Sequence, residues 1–219
     1  MQGQDYPLFS NEYIHKFFLE HSKTEFCKAK NISISKNKKD YMKVGGYWHA
    51  DNTNLFWKVI HKFNSVGLKY RRTRYKNKDT IWNIYHGWAQ FALTRQCVEY
   101  CLDFFNTNIL FNKFMKHRFP PDELYFQTLI YNSSFVNNVD KTIVYNRNGA
   151  KTNLNLTYFE YPTFVTVFRD KSDYYWLKDI GCLFVRKVNS SSKELVEEID
   201  KNIIINKKEI NSCLRITEN

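Results

Sequence analysis

The spacing of apolar residues along the first third of the chain predicts a helix, a polar stretch and a second helix. Ser10 can cap the first helix, whose apolar residues fall within 13–18. Residues 21–50 are polar and basic and show no helical period, so they are predicted to form loops with short strands. Apolar residues recur at helical spacing over 55–63, and Gly67 marks the end of that helix.

The middle of the chain alternates between strand-like and helical patterns. Residues 80–93 are rich in aromatic and β-branched side chains, which favours strands and a turn. Thr94 can then cap a helix, and a second amphipathic segment covers 109–115. The apolar face of the Thr94 helix is predicted to consist of Val98, Cys101, Leu102 and Phe105.

The segment FPPDELYFQTLIYNSSF, residues 119–135, predicts a sharply defined helix start. Its two prolines end the preceding element and pre-set the backbone at the entry to a new helix. Asp122 and Glu123 then fall in the first turn, where the helix dipole favours carboxylates.

The last third predicts short elements followed by a polar tail. The expected strands cover 142–145, 163–168 and 183–188, and the expected helices cover 172–177 and 192–199. No internal repeat or linker divides the chain, so one domain over 1–200 and a polar tail over 201–219 are predicted.

Composition narrows the class of protein. The 219 residues include 17% aromatic side chains, which excludes wholesale disorder. No apolar run is long enough for a membrane span, and the N-terminus lacks a signal-peptide core. The five cysteines are odd in number and show no zinc-ligand spacing, so Cys97 and Cys101 are interpreted as buried thiols in a reduced, cytoplasmic protein.

The net charge of +11 is concentrated in KYRRTRYKNK, residues 69–78. Three interpretations remain open for this stretch: a solvated loop, a site for an anion such as a nucleotide diphosphate, an acidic glycan or a membrane surface, and a nucleic-acid site. Tyr70 and Tyr75 lie among the cations and favour the last interpretation, but no nucleic-acid-binding motif supports it.

Two places carry candidate chemistry. A carboxylate fixed behind two prolines, at Glu123 or Asp122, can act as a general base, although acidic residues are also simply common at helix starts. Arg186 and Lys187 follow an apolar run on a predicted strand, where neighbouring side chains point to opposite faces, so only one of them readily faces a cleft. That cation could neutralise a diphosphate leaving group, or the pair could simply be an exposed basic strand end. No D-x-D triplet is present to hold a divalent metal.

Four segments in order resemble the motifs of one family. GQDYPLFSNEYIHKFF (3–18) is similar to an S-G-x-D-Y-P-[IL] turn and its helix, and HGWAQFALTRQCVEYCLDF (86–104) is similar to a G-S-x-W-F-x-L-[ST]-R block. The 119–135 segment is similar to P-D-E-x-[FY]-x-[QA]-T, and GCLFVRKV (181–188) resembles a closing L-F-A-[RN]-K-F. The family is glycosyltransferase family 14, the core-2/I-branching β-1,6-N-acetylglucosaminyltransferases and peptide O-xylosyltransferases.

The resemblance implies a GT-A-like α/β fold, with a mixed sheet flanked by helices. It implies an inverting transfer of N-acetylglucosamine or xylose from a UDP-sugar to a glycan or peptide hydroxyl, without a metal or other cofactor. Glu123 would be the base beside Asp122, and Lys187, assisted by Arg186, would neutralise the UDP diphosphate.

The same resemblance implies that Asp5 and Trp88 belong to the substrate site. Trp88-Ala89-Gln90 replaces the family's Ser-x-Trp, so an altered acceptor wall is expected. No nucleic-acid partner is expected, and the predicted location is cytoplasmic, peripheral to the inner face of a bacterial-type membrane.

The chain begins at the G-x-D-Y-P turn, and in the family a nucleotide-binding βα region precedes that turn. The chain is therefore expected to form the C-terminal two-thirds of the fold and to be incomplete at its N-terminus. Its transferase activity is expected to be weak or absent unless a missing N-terminal half is supplied. The alternative is a non-catalytic carbohydrate-binding protein or a subunit of a split enzyme.

Overall fold

The computed structural model describes residues 3–45, 74–77, 80–116, 118–160 and 166–216. In these ranges the strands are β1 (Asp5–Pro7), β2 (Ala29–Asn31), β3 (Arg74–Asn77), β4 (Thr80–Asn83), β5 (Tyr85–Gly87), β6 (Val144–Tyr145), β7 (Lys151–Thr152), β8 (Thr157–Tyr158) and β9 (Phe184–Arg186). The α-helices are α1 (Asn11–Glu20), α2 (Lys38–Gly45), α3 (Arg95–Thr107), α4 (Ile109–Met115), α5 (Tyr125–Tyr131), α6 (Lys171–Leu177) and α7 (Lys193–Ile216). Short 3-10 helices cover Pro121–Glu123 and Ser134–Asn138.

The chain divides into two compact units, although its sequence contains no linker. The first unit combines Met1–Ser22 with Thr142–Asn219, and the second is the continuous segment Lys23–Lys141. The architecture is mixed α/β in both, because each contains helices together with small sheets.

The first unit is built on a three-stranded mixed sheet in the order β1-β9-β8. The central strand β9 runs antiparallel to β1 and parallel to β8. Val185 of β9 and Tyr158 of β8 are fully buried, and Leu177 and Leu195 of the helices add to the core. The sheet therefore ties the N-terminus of the chain to its last strand.

Side-chain caps fix the starts of two helices in the first unit. Ser10 accepts a hydrogen bond from Tyr13 N at the start of α1, as predicted. Asp170 and Asp173 form a capping box at the start of α6, so the acidic DKSD segment stabilises a helix end. The final helix, α7, is longer than predicted and continues through most of the segment expected to be a polar tail.

The predicted strand over 163–168 is only partly testable, since 161–165 lie outside the described residues. The described part, 166–168, is not assigned to a strand. Its backbone still bonds to the closing segment, with Phe168 N donating to Lys187 O at 3.1 Å.

The second unit packs α3, α4 and α5 around an aromatic core. β2 pairs with β5, and β3 pairs with β4, both antiparallel. Thr94 caps α3 by accepting from Cys97 N at 3.2 Å, and α4 has the bounds that the sequence predicts. The buried residues of the core of the second unit include Cys27, Ile32, Ile84, Cys97, Cys101, Phe111, Met115, Leu124, Leu129 and Ile130. Cys97 and Cys101 are thus buried free thiols, as predicted.

The predicted core face of α3 is only partly correct, because Cys101 alone of its four residues is buried. Cys97 and Cys101 are buried, whereas Val98, Leu102 and Phe105 are exposed. The reason lies in an aromatic cluster, in which Phe104 stacks on Trp82 with ring centroids 5.1 Å apart. Because α3 carries apolar residues on both faces, periodicity alone does not identify the buried one.

The prediction of loops and short strands over 21–50 misses helix α2. Asp40, a buried residue of this helix, is held by two hydrogen bonds. Its carboxylate accepts one from Lys30 Nζ at 2.9 Å and one from Ser35 Oγ at 2.6 Å. Such pairing between charged and polar side chains is not visible in a hydrophobic pattern.

The helix predicted over 55–63 and residues 69–73 and 78 of the basic stretch lie outside the described residues. Tyr75, which favoured nucleic-acid binding, is buried and packs edge-on against Phe111 with centroids 5.1 Å apart. Its ring is therefore occupied by the core. Across the parts of the chain that are described, no helix is both long and apolar enough to cross a bilayer.

Candidate active site

The acidic pair at 122–123 lies in a 3-10 turn ahead of α5 rather than in the first turn of an α-helix. Pro121–Glu123 forms this turn, and Leu124 leaves helical geometry with φ −122° before α5 begins at Tyr125. Leu124 is fully buried and anchors the turn to the core. The predicted place of Glu123 in the first turn of an α-helix is therefore not observed, and the groups that lower its pKa lie on other elements.

Those groups are Lys43 and His86. His86 Nε2 lies 2.7 Å from Glu123 Oε2, and Lys43 Nζ lies 3.5 Å from the same oxygen. Lys43 Nζ also contacts His86 Nε2. Within the described residues, Glu123 Oε1 has no hydrogen-bond partner, and the side chain is 21% exposed. One carboxylate oxygen is thus fixed by the protein and the other is open to a ligand.

Three separate elements bring these side chains together. Lys43 lies near the end of α2, His86 is the central residue of β5, and Glu123 ends the 3-10 turn. The position of β5 is fixed by its pairing with β2, in which Lys30 lies opposite His86. A Cβ atom at Gly87 would lie 2.3 Å from Lys28 O, so a glycine is required beside His86 for this close approach.

The electrostatics of the cluster favour an ionised carboxylate. Burial raises the pKa of Glu123, but the hydrogen bond from His86 and the positive charge of Lys43 outweigh it and lower the pKa below its ordinary value. Burial also lowers the pKa of Lys43, against the opposing effect of the Glu123 charge. The pKa of Asp40 is lowered as well, because its hydrogen bonds with Ser35 and Lys30 outweigh burial.

These contacts predict how the Glu123 pKa responds to substitution at His86. In His86→Phe the hydrogen bond to Oε2 is lost, so the Glu123 pKa rises. On acidification, a reaction that needs the ionised carboxylate therefore loses its rate at a higher pH in this variant than in the wild type. His86→Gln is the matched control, because its amide places an N–H near the position of Nε2 and retains most of the lowering. Carboxyl ¹³C NMR titration of the three proteins measures the shift, and an identical Glu123 pKa in all three would refute the assignment.

The other predicted residues of the second unit lie near this cluster. Asp122 is exposed and makes no hydrogen bond or ion pair within the described residues. The Trp88 ring lies 6.4 Å from the His86 ring, edge to face, and the Trp88 carbonyl accepts from Gln127 Nε2 at 3.1 Å. Trp88 is therefore close to the His86 partner of Glu123, whereas Asp122 is its exposed neighbour in the chain.

The remaining predicted residues belong to the first unit. Arg186 Nη1 donates to Asp5 Oδ1 at 3.0 Å, and the Asp5 side chain is fully buried. Asp5 and Arg186 face each other in the β1–β9 register, so their ion pair joins these two strands. Lys187 follows β9 directly, is partly exposed, and its ammonium group forms no ion pair in the described part of the chain.

Sequence reasoning missed Lys43 and His86. His86 belongs to the HGWAQF block and directly precedes the constrained Gly87, which is a signal that could have drawn attention to it. Lys43 carries no comparable signal, because it is one of many lysines in a basic stretch. In the described ranges, no cluster of three His, Cys, Asp or Glu side chains is arranged to hold a metal ion.

Comparison with known proteins identifies the family. Residues 1–154 match the family model described as Core-2/I-Branching enzyme. The match includes the segments that begin at residues 3, 86 and 119, whereas the closing segment with Lys187 lies beyond it. A search of curated proteins found no match. Since the matched region covers over two thirds of the chain, the protein belongs to the core-2/I-branching enzyme family of glycosyltransferases.

Proposed function

We propose that this protein transfers N-acetylglucosamine or xylose from a UDP-sugar to a hydroxyl group of a glycan or peptide, with Glu123 as the general base. The observation that carries the proposal is the Glu123 carboxylate, which is held by His86 and Lys43 through Oε2 while Oε1 stays open. A lowered pKa keeps this carboxylate ionised at neutral pH, as a base requires.

The reaction is an inverting single displacement. Glu123 Oε1 accepts the proton of the acceptor hydroxyl while the acceptor oxygen forms a bond to C1 of the donor sugar. The bond from C1 to the phosphate oxygen breaks, and UDP leaves with the electron pair. Attack from the side opposite the leaving group inverts the configuration at C1, so one base is sufficient.

Lys43 and His86 orient the base and stabilise its charge. Both contact Oε2, so the open Oε1 is held in one orientation relative to an incoming hydroxyl. Trp88, close to His86, offers an apolar ring surface of the kind that packs against sugars. The acceptor is therefore proposed to bind over Trp88 with its hydroxyl at Glu123.

Lys187 is proposed to neutralise the diphosphate of the leaving UDP within a GT-A-like fold. Support comes from the closing sequence motif and from an ammonium group that has no ion-pair partner in the described residues. The buried Asp5–Arg186 pair fixes the strand that leads directly to Lys187. A lysine supplies positive charge at the leaving group without a metal ion.

A donor assay tests this proposal. The protein is incubated with UDP-N-acetylglucosamine or UDP-xylose and a panel of oligosaccharides and serine-containing peptides, and released UDP is measured with and without EDTA. We expect UDP release to depend on the acceptor, to be unchanged by EDTA, and to yield a product whose anomeric configuration by ¹H NMR is opposite to that of the donor. Loss of the rate in EDTA with recovery on adding Mn²⁺ would contradict a metal-free mechanism, and retained configuration would contradict single displacement.

A further inference from the structure

The outward side of α3 and α4 is apolar where a solvent-facing helix surface is ordinarily polar. Leu102 is 57% exposed, Phe105 is 55% exposed and Ile109 is 61% exposed. Val98, one turn before Leu102, extends the same stripe. Contiguous exposed apolar surface of this kind marks binding sites more often than single exposed residues do.

Two adjoining cavities lie along this stripe, both within the second unit. The larger cavity has a volume of about 590 Å³ and is lined by residues that include Leu93, Val98, Leu102 and Phe126. The smaller cavity has a volume of about 380 Å³ and includes Ile109, Lys113 and Lys116 in its lining. Phe105, Pro121 and Tyr125 line both cavities. Each volume falls within the range of small-molecule sites, roughly 300–1,000 Å³.

The wall shared by the cavities belongs to the turn that carries the proposed base. Pro121 lines both cavities and Asp122 lines the larger one, while the next residue, Glu123, directs its carboxylate to His86 and Lys43. Consecutive Cα atoms are about 3.8 Å apart. A molecule in the cavities therefore lies against the three-residue turn whose last residue, Glu123, is the proposed base.

Charge is segregated between the two cavities. Lys113 and Lys116 of the smaller cavity are exposed, and neither forms an ion pair within the described part of the chain. The larger cavity is apolar along its α3 wall and has Asp122 at the wall formed by the 3-10 turn. An amphiphile with an apolar tail and an anionic group matches this arrangement, because the tail fits the larger cavity and the anion pairs with the two lysines. A second copy of this chain does not match it, since copies with a net charge of +11 repel each other at a surface with unpaired lysines.

We infer that the acceptor is an anionic glycolipid whose hydrocarbon portion occupies the larger cavity, with its anionic group beside Lys113 and Lys116. This inference rests on the proposed function, because it makes the lipid the carrier of the sugar whose hydroxyl reaches Glu123. The lipid binds through α3, α4 and the 3-10 turn, independently of the donor.

Binding of alkyl phosphates tests the inference without transferase activity. Butyl, hexyl, octyl and dodecyl phosphate are titrated into the intact chain below their micelle concentrations, with octyl β-glucoside as an uncharged probe. We expect affinity to rise about fourfold for each added methylene until the cavity is filled. The Lys113→Gln/Lys116→Gln variant is expected to lose affinity for octyl phosphate at least tenfold and to bind octyl glucoside as the wild type does.

Leu102→Glu and Leu19→Glu form a matched pair, because each replaces an exposed helical leucine with a charged residue. We expect Leu102→Glu to lose alkyl phosphate binding at least tenfold and Leu19→Glu to keep it. Val98→Trp, which fills the larger cavity from an exposed position, repeats the test should Leu102→Glu fold poorly. Affinity that is independent of chain length, or equal losses in the matched pair, would overturn the inference.

Two further results separate this inference from the proposed function. Glu123→Gln should bind dodecyl phosphate as tightly as the wild type does, whether or not any transfer is detected. Where transfer is detected, dodecyl phosphate should compete with the acceptor and raise its KM, and failure to compete would overturn the acceptor assignment. The inference would be overturned if the wild type bound no alkyl phosphate and sedimented as a dimer that Leu102→Glu converted to a monomer. That result would show that the stripe is an interface between copies of this chain.

Discussion

We expect the Glu123→Gln variant to transfer sugar about 10²–10⁴-fold more slowly than the wild type, the usual loss when a general base is removed. Glutamine keeps the size of the side chain and can still contact Lys43 and His86, but it cannot accept a proton from a hydroxyl. The loss should fall on kcat, since the substitution leaves the proposed acceptor contact at Trp88 unchanged. Because the side chain is 21% exposed, the variant should remain folded, which circular dichroism can verify.

Asp122→Asn is the matched control for this experiment, because it removes the neighbouring carboxylate from the same turn. Asp122 is exposed and has no partner among the described residues, so we expect its loss to change the rate only a few-fold. A large loss in Asp122→Asn with little effect in Glu123→Gln would reverse the assignment of the base. Equal rates in all three proteins would remove both carboxylates from the mechanism.

The second large effect is expected in the stability of the first unit. Asp5→Asn removes the charge of a fully buried carboxylate and leaves Arg186, whose side chain is only 20% exposed, without its counter-ion. Removing one member of a buried ion pair destabilises a protein strongly, so we expect a loss of about 3 kcal/mol in the free energy of unfolding. Urea denaturation of both proteins measures this difference.

Two controls isolate the buried pair. Glu197→Gln breaks an exposed i,i+4 pair of α7, between Lys193 and Glu197 at 3.7 Å, and should change the free energy of unfolding by less than about 0.5 kcal/mol. Asp5→Asn/Arg186→Met removes both charges and should be more stable than Asp5→Asn alone. An Asp5→Asn variant no less stable than Glu197→Gln would show that the pair does not hold β1 to β9.

Local signals in the sequence predict a large part of the fold. Side-chain caps at Ser10 and Thr94 identify the starts of α1 and α3, and both are confirmed by their hydrogen bonds. The bounds of α4 are those predicted, and the short helix predicted over 172–177 is observed over 171–177. These features depend on residues three or four positions apart, which a single sequence displays directly.

The parts that sequence reasoning missed depend on side-chain contacts that hydrophobic periodicity does not register. Helix α2 has few apolar residues, and its Asp40 pairs with Lys30 and Ser35. The buried face of α3 is decided by the aromatic rings of Trp82 and Phe104, which belong to different elements. Neither arrangement leaves a periodic trace in the sequence.

The candidate site shows the same division. Glu123 is found from the proline turn and the family motif, whereas its partners are 37 and 80 positions away and belong to other elements. The sequence places the carboxylate, but only the fold shows that His86 and Lys43, rather than a helix dipole, hold its charge. The cavities beside α3 could not be predicted from the sequence either. The leucine and phenylalanine side chains that line them have the spacing expected of a buried helix face.

The most direct test of the central claim is the crystal structure of Glu123→Gln with UDP and an acceptor that supports transfer by the wild type. The account predicts the reactive acceptor hydroxyl within hydrogen-bond distance of the side-chain position of residue 123, about 2.6–3.2 Å, on the side away from His86 and Lys43. An acceptor hydroxyl bound beyond reach of residue 123, with another carboxylate or imidazole at that distance, would contradict it.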